Sequence, residues 1–573
     1  MKIRTLLCVS CLICLLGANQ SIAEPNVSND ELHRSYGDPP DLLNPLLSMD
    51  TTSGEFLRYT TETFAARKVQ NPDEWETFLS EGWEKTETDD GKLIVDVRLR
   101  RDVNWHRVTL KASTGVRTIE PMEFTSKDVV FSYRVVMNPN VRCSHIRSDY
   151  ADLESVKRKG KYRVIFTWSK RYFLAEDRTL KFPVIPEHIF SMKEDGSPMP
   201  ADPSSEEFAS LFNGHWFNNQ ICGTGPYMLE TYEPNERVTL VRNEDYWGPK
   251  RFFRKLAYHR IQEDTKAYLA FLKGDLDFQE LNPKQYEEIR DRGEFRSGKI
   301  KTVTYDNPLY RFLGWNLVKP IFRDRQTRWA FAHATPRAEI IKTIFGGLAV
   351  KADGPFYINS DAYDRSISPI VYDPQRARRL LEEAGWMDTD GDGIREKNIE
   401  GRRVALEFNL IIYEGHEDYR KISEVIRSEY GKVGAKVEIT PMPWGQYLKV
   451  LKERSFDAFI VGFALDWKSE PYNTWHSSQA DEPGSFNAVS YRNSEVDQLI
   501  ETLRYTLDKE KQIELYHKIH RLIYEDQPFC FLWTDKRIVA YNSRLSRVSF
   551  YSTINPGYDE REWSTVPGME RVK

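Results

Sequence analysis

Gly223-Thr224-Gly225-Pro226-Tyr227 and, further on, Val241-Arg242-Asn243-Glu244-Asp245-Tyr246-Trp247-Gly248 bracket the most informative stretch of the chain. Between them, Tyr227-Met228-Leu229-Glu230 and Val238-Thr239-Leu240-Val241 flank the turn residues Glu233-Pro234-Asn235-Glu236, which predicts a strand–turn–strand unit over 226–242. The paired glycines do not begin a dinucleotide-binding loop. Pro226 follows at once and starts a strand, where that loop would open a helix.

Outward from this unit, strand and helix patterns alternate. Residues 92–99 and 161–168 alternate as strands, and 126–137 read as a helix with Ser126 as its N-cap. Residues 194–206, with Gly196, Pro198, Pro200 and Pro203, form a surface loop and a return point between domains. Helices are expected over 265–272, stopping at Gly274, and over 373–384, ending at Gly385. Further helices are expected over 418–433 and 494–525. No tandem repeat or long low-complexity stretch is present. The class is therefore α/β or α+β with more than one sheet.

The chain has 573 residues, enough for three or four domain-sized units. With 40% hydrophobic and 29% charged residues it is an ordinary globular composition. The formal charge of −5 argues against broad nucleic-acid binding, which needs a basic surface. Aromatic residues reach 13%, which serves both cores and recognition clefts.

Lys2, Arg4, the apolar run Leu6 to Leu16 and Ser21-Ile22-Ala23 read as a secretory signal over residues 1–23. A soluble mature protein in the periplasm is expected, without lipid anchoring, since Cys11 follows Ser10 but has Cys8 where a lipobox wants Leu at −3, and Cys14 follows Ile13. Cys8, Cys11 and Cys14 imitate a metal motif but leave with the signal. Of the remaining three, Cys530 lies in an apolar run and is expected to be buried, and Cys143–Cys222 is the only bridge to consider.

No catalytic constellation is found: there is no nucleophile elbow, zinc helix or P-loop. His517-x-x-His520, with Glu514 one turn earlier, reads as a polar helix face, not a metal site. Asp388-Thr389-Asp390-Gly391-Asp392-Gly393 begins like a calcium loop, but its twelfth position is Ile399 and Glu400 comes one residue late. It is read as a carboxylate-rich turn, with a calcium site left open. No enzyme activity, cofactor or bound metal is expected.

Several segments, in order, resemble the family 5 extracellular solute-binding proteins of ABC importers, whose members include dipeptide-, oligopeptide- and nickel-binding proteins. They are Asp38 to Pro45, Gly223 to Tyr227 with Val241 to Gly248, Ala270 to Asp277, Leu313 to Asn316, Arg328 to Ala332, Tyr372-Asp373-Pro374 with Leu380 to Trp386, and Tyr491 to Asp497. The chain departs from the family at Ala334-Thr335-Pro336-Arg337, where Ile or Val, Asp and Arg are usual. The resemblance spans about residues 35 to 540.

It implies an α/β clamshell of two lobes with an inserted extra domain. By analogy the discontinuous first lobe takes 24–65, 222–305 and 533–573, the insert 66–221 and the second lobe 306–532, with hinge crossings near 305 and 532. Ligand touches both lobes only when they close, so binding shifts the open–closed equilibrium without chemistry. Peptide-binding members hold the ligand as an extended strand and bury its amine against an Asp of the second lobe.

Within Gly462-Phe463-Ala464-Leu465-Asp466-Trp467-Lys468-Ser469-Glu470-Pro471 that role falls to Asp466, although its gap to Pro471 is one residue longer than is usual. Trp467, Trp475, Trp444, Tyr447, Trp315 and Asn316 are the candidate ligand-facing neighbours, with core packing the alternative for each. The expected partners are a peptide or another small polar solute and the membrane permease of an ABC importer, with the binding protein itself monomeric. An oligosaccharide, opine or metal chelate is the alternative ligand. An extracytoplasmic sensor, chaperone or hydrolase is the alternative role.

Overall fold

The computed structural model describes residues 29–112, 115–465, 468–553 and 557–569. The proposed signal therefore lies outside the described residues, as do Asp466 and Trp467. No helix among the described residues is long and apolar enough to cross a membrane.

The opening stretch folds as its pattern predicts. Strands Tyr227–Glu233 and Arg237–Arg242 form an antiparallel hairpin whose turn is closed by Glu236 N–H donating to Glu233 O at 2.8 Å. Lys255–Arg260 extends the hairpin, and Glu31–Tyr36 joins it in parallel, completing a four-stranded sheet. Its buried face carries Leu32, Leu240 and Tyr258, packed on Phe56 and Tyr59 of helix Thr51–Thr60.

A larger sheet orders Phe278–Glu280, Phe529–Asn542, Leu309–Trp315, Ala458–Ala464, Glu407–Tyr413 and Lys436–Met442. The 14-residue strand Phe529–Asn542 joins two halves. Its first residues pair with Leu309–Trp315, while Lys536 to Asn542 pair with Ile300–Asp306. The chain passes from one half to the other at this strand and again at Asn307-Pro308. The two halves are the lobes of an α/β clamshell. Buried Trp315, Phe331, Phe408, Tyr430 and Trp533 belong to the core of the second.

The insert has its own antiparallel sheet, in the order Ser80–Glu87, Leu93–Leu99, Arg163–Trp168, Leu153–Arg158. Helix Ser126–Met137 packs on it, and its core also takes in Leu46, Leu47, Phe64 and Ala65.

Several sequence expectations need correction. The cap of helix Ser126–Met137 is Thr125, not Ser126: Thr125 and Asp128 form a reciprocal capping box, and Ser126 Oγ instead donates to Gly160 O at 2.7 Å. The helix expected over 494–525 is two, Ser494–Tyr505 and Lys509–Asp526. Asp508 caps the second by accepting from Lys511 N–H, which ends the apolar periodicity across the break.

Cys143 and Cys222 do not pair, and all three described cysteines are free and buried. The Cys143 thiol faces Val136 O and the Cys222 thiol faces His106 O, so each has its own backbone partner. His520 is not on a polar face. It is fully buried, accepts from Asp364 N–H at 3.0 Å and packs its ring on Gly354.

Candidate binding cleft

In open α/β sheets, ligands sit beyond the C-terminal ends of parallel strands. Both lobes turn such ends toward each other. In the first lobe, Glu31–Tyr36 runs into Gly37-Asp38, and Lys255–Arg260 runs into the helix Asp264–Leu272. In the second, Glu407–Tyr413 leads to the helix Glu417–Gly431. Lys436–Met442 leads to Trp444–Lys452, and Ala458–Ala464 leads to Leu465.

Specific contacts join these ends. The Asp38 carboxyl bonds the Tyr413 hydroxyl, and Gly37 lies against the same oxygen. Lys452 Nζ lies 2.8 Å from Asp41 Oδ2. Leu465 N–H donates to Pro308 O at 2.8 Å, tying the loop after Ala458–Ala464 to the hinge turn.

The cleft is acidic toward the hinge. Asp264 is exposed, yet burial within the closed lobes and the carboxylates of Asp418, Glu280 and Glu417 push it up to about 6. Burial raises Asp418 and Asp38 as well, partly offset by Lys421 and Arg311 for the first and by Tyr413 for the second. Arg311 is the buried counter-charge: its Nε is 2.5 Å from Asp535 Oδ2 and it donates to the Tyr419 hydroxyl. The same guanidinium and burial push His416 down to about 3. Asp264, Glu417 and Asp418 lie in the first turns of their helices, whose dipoles favour negative charge.

The residues predicted from sequence fall in different places. Trp444 is half-buried at the start of its helix, with its ring stacked on Tyr447 at 5.6 Å and edge-on to Tyr413 at 5.4 Å, so it stands at the rim of the cleft. Tyr447 is fully buried and donates to Ile460 O at 2.8 Å. Trp475 packs against Phe529 at 4.8 Å, and Trp315 stacks on Phe322 at 5.0 Å. Asn316 donates to Phe456 O at 2.8 Å and accepts from Val318 N–H. These four support the second lobe from within its core, because long-range packing covers them, and they present no surface to a ligand.

Asp466 and Trp467 lie outside the described residues, but the flanks of their loop are placed. Leu465 is held at the hinge turn, and buried Glu470 accepts from Tyr472 N–H at 3.0 Å. Sequence reasoning missed Asp38, Asp264, Asp418 and Tyr413. The available signal was their position at or within a few residues of the C-terminal ends of strands, readable only once the strand partners were known.

The turn Asp388 to Gly393 brings Asp388, Asp390 and Asp392 together, with one carboxylate oxygen of each within 4.8 Å of the others. Asp388 already accepts from Gly391 and Gly393 N–H, Asp392 from Ile394 N–H, and Asp390 pairs with Arg403 at 2.5 Å. This fits the carboxylate-rich turn read from the sequence.

Comparison with known proteins agrees with this geometry. The profile of the bacterial extracellular solute-binding proteins, family 5 (middle), matches residues 74–484. The oligopeptide-binding protein AppA of Bacillus subtilis is 26% identical over 545 residues, covering 93% of this chain and 91% of that one. The dipeptide-binding protein of Escherichia coli is 26% identical over 469 residues, covering 78% and 79%. Among solved structures, AppA in complex with a nonapeptide superposes with a TM-score of 0.81 at 24% identity, covering 94% of this chain and 99% of that one. NikZ of Campylobacter jejuni in complex with Ni(L-His) does so with a TM-score of 0.76 at 22% identity, covering 94% and 100%. With its two-lobed sheets, its cleft between strand ends and a profile match over most of its length, the chain belongs to the family 5 bacterial extracellular solute-binding proteins.

Proposed function

We propose that the chain captures peptides between its lobes outside the cytoplasm and delivers them to the permease of an ABC importer, acting as a monomer and without chemistry on the ligand. The observation that carries this is the cleft itself. Strand ends from two lobes face each other and are bridged by Asp38–Tyr413 and Asp41–Lys452, in a chain similar over nine-tenths of its length to an oligopeptide-binding protein.

The lobes are read as 24–65, 222–305 and 533–573 for the first and 306–532 for the second, with 66–221 inserted; the second crossing falls within strand Phe529–Asn542, whose Trp533 still packs in the second lobe. Residues 1–23 are read as the export signal. An extended peptide would receive backbone hydrogen bonds in the cleft, which give affinity without reading side chains. Asp466 is assigned to the peptide amine, because a cation buried on closure needs a carboxylate partner. The loop suits that assignment, with Leu465 fixed at the hinge turn and Glu470 anchored inside the lobe.

Native mass spectrometry of the protein purified from the periplasm tests the ligand class. Adducts that fragment into peptides are expected, and a single discrete non-peptide mass refutes the reading. A peptide recovered this way should bind Asp466→Asn at least tenfold more weakly, while its N-acetylated form should bind parent and variant alike. Equal loss for both forms would remove Asp466 from the amine site.

A further inference from the structure

The hinge end of the cleft holds more negative charge than the chain balances there. Asp264 and Glu280 come from the first lobe, Glu417 and Asp418 from the second. The last three all raise the Asp264 carboxyl, so the four stand within electrostatic reach of one another across the gap. Asp535, on the long strand Phe529–Asn542, raises Asp418 in turn.

Three cations meet these carboxylates, and each is already taken. Arg537 Nη1 is 2.9 Å from Glu280 Oε1. Lys421 Nζ is 3.1 Å from Glu417 Oε1 and 3.8 Å from Asp418 Oδ1. Arg311 Nε is 2.5 Å from Asp535 Oδ2. Asp38 and Arg260, the next charges outward, offset each other.

Two acceptors are left over. Asp264, exposed on the first turn of its helix, has no ion pair or side-chain hydrogen bond among the described residues. Asp535 is 8% exposed, yet its Oδ1 has no hydrogen-bond partner. The first can be reached from the cleft. The second is a buried oxygen with an unused lone pair beside the same group of charges.

Carboxylates crowded together between two lobes repel, and an enclosed charge is tolerated only when a counter-charge joins it. The chain leaves this place without one, so the ligand is the remaining source. The peptide amine does not fill it. That amine is assigned to Asp466, which brings its own negative charge and leaves the excess untouched. An ammonium or guanidinium on a flexible side chain suits the place better, because it offers three to five donors to acceptors that have none.

We propose that the hinge end of the cleft is a subsite for a cationic side chain: a lysine or arginine of the bound peptide takes its counter-charge from Asp264, with Asp418 and Asp535 Oδ1 as neighbouring acceptors, and the protein thereby prefers basic peptides. The subsite rests on the peptide reading and deepens it. Backbone bonds in the cleft accept many sequences, whereas an unpaired carboxylate penalises a neutral side chain at one position.

Isothermal titration calorimetry of the mature protein tests this with two series of peptides. In one, arginine is moved through each position of pentaalanine. In the other, citrulline, its neutral isostere, is moved in the same way. Both series carry the same terminal amine, so Asp466 drops out of the comparison. At one or more positions the parent should bind the arginine peptide roughly tenfold more tightly than the citrulline peptide, the value of one charge-assisted hydrogen bond.

In Asp264→Asn that ratio should fall to within about twofold, with the citrulline affinity unchanged. Glu206→Gln, an exposed change in the insert, should leave the ratio as in the parent. Should Asp264→Asn not fold, Asp418→Asn carries the test, with a lowered ratio expected at the same position.

Equal affinity for arginine and citrulline at every position overturns the subsite and leaves the peptide reading standing. A preference for arginine that survives in both Asp264→Asn and Asp418→Asn also overturns it. Failure of both series to bind removes the peptide reading and the subsite together. Calcium binding that is lost in Asp264→Asn, without any arginine preference, gives these carboxylates to a metal ion and overturns the proposal.

Discussion

Gly223 should not tolerate a methyl group, and the structure gives the size of the penalty. A Cβ built there would lie 1.7 Å from Thr60 O and 2.6 Å from Thr60 C, both backbone atoms that cannot rotate away. Relief requires a backbone shift that strains three bonds. Gly225 N–H donates to Thr60 O at 2.9 Å, His106 N–H donates to Gly223 O at 2.8 Å, and Gly223 N–H donates to His106 Nδ1 at 3.2 Å. Three bonds at about 1 kcal/mol each, with overpacking of about 1–3 kcal/mol, put Gly223→Ala near a loss of ~4 kcal/mol after the small gain from a stiffer unfolded chain.

Hydrogen exchange followed by mass spectrometry is the suitable assay, because a chain of several domains does not unfold in one step. The peptide containing Gly225 should exchange roughly a thousandfold faster in the variant. Gly54→Ala is the matched control. It lies inside helix Thr51–Thr60 with nothing within 4 Å of its Cβ, and it should stabilise that helix by ~0.5–1 kcal/mol. Protection at Gly225 that stays within about tenfold of the parent would refute the reasoning.

Burial pushes His106 down to about 4, and its ring is committed as a neutral tautomer, Nδ1 accepting from Gly223 N–H and Nε2–H donating to Gly225 O at 2.8 Å. The folded state thus binds its proton less readily than the unfolded state does. His106 contributes its full stability above an unfolded pKa near 6.5, loses it as pH falls from there to about 4, and contributes none below; the total is ~3 kcal/mol. An NMR titration of the ring should show no protonation above pH 5, and a midpoint near 6.5 would reject the tautomer. Asp277 and Arg544 are a fully buried pair at 2.7 Å, and Asp277 also accepts from His33 N–H, so strand Glu31–Tyr36 is pinned to the chain's last segment. Asp277→Asn should cost ~3–5 kcal/mol by leaving the guanidinium uncompensated, and a change below ~1 kcal/mol in the urea unfolding of the first lobe would contradict that.

Much of the local structure was legible from residues alone. The hairpin around Pro234, the helix stops at Gly274 and Gly385, with φ of +81° and +85°, and the absence of a nucleotide loop all follow from short-range backbone chemistry. The capping box at Thr125 was legible too, but Ser126 beside it masked the correct residue; Thr125 with Asp128 has the proper spacing. The ordered motifs likewise pointed to the family, because each encodes a turn, a cap or a close backbone approach such as Gly223 on Thr60.

The functional surface was less legible. Trp315, Tyr447 and Trp475 look like cleft aromatics in the sequence and lie in the core of the second lobe, since a ring's burial depends on which strands stack over it. Cys143 and Cys222 share one core yet stay unpaired, which spacing could not decide. Asp38 meets Tyr413, and Asp152 meets Arg504, only because the chain crosses between the lobes twice. Sequence by itself determined the elements, the family and the absence of familiar catalytic motifs, for these rest on residues a few positions apart. The cleft was decided by tertiary structure alone, because its partners lie hundreds of residues apart and become neighbours only when both lobes are packed.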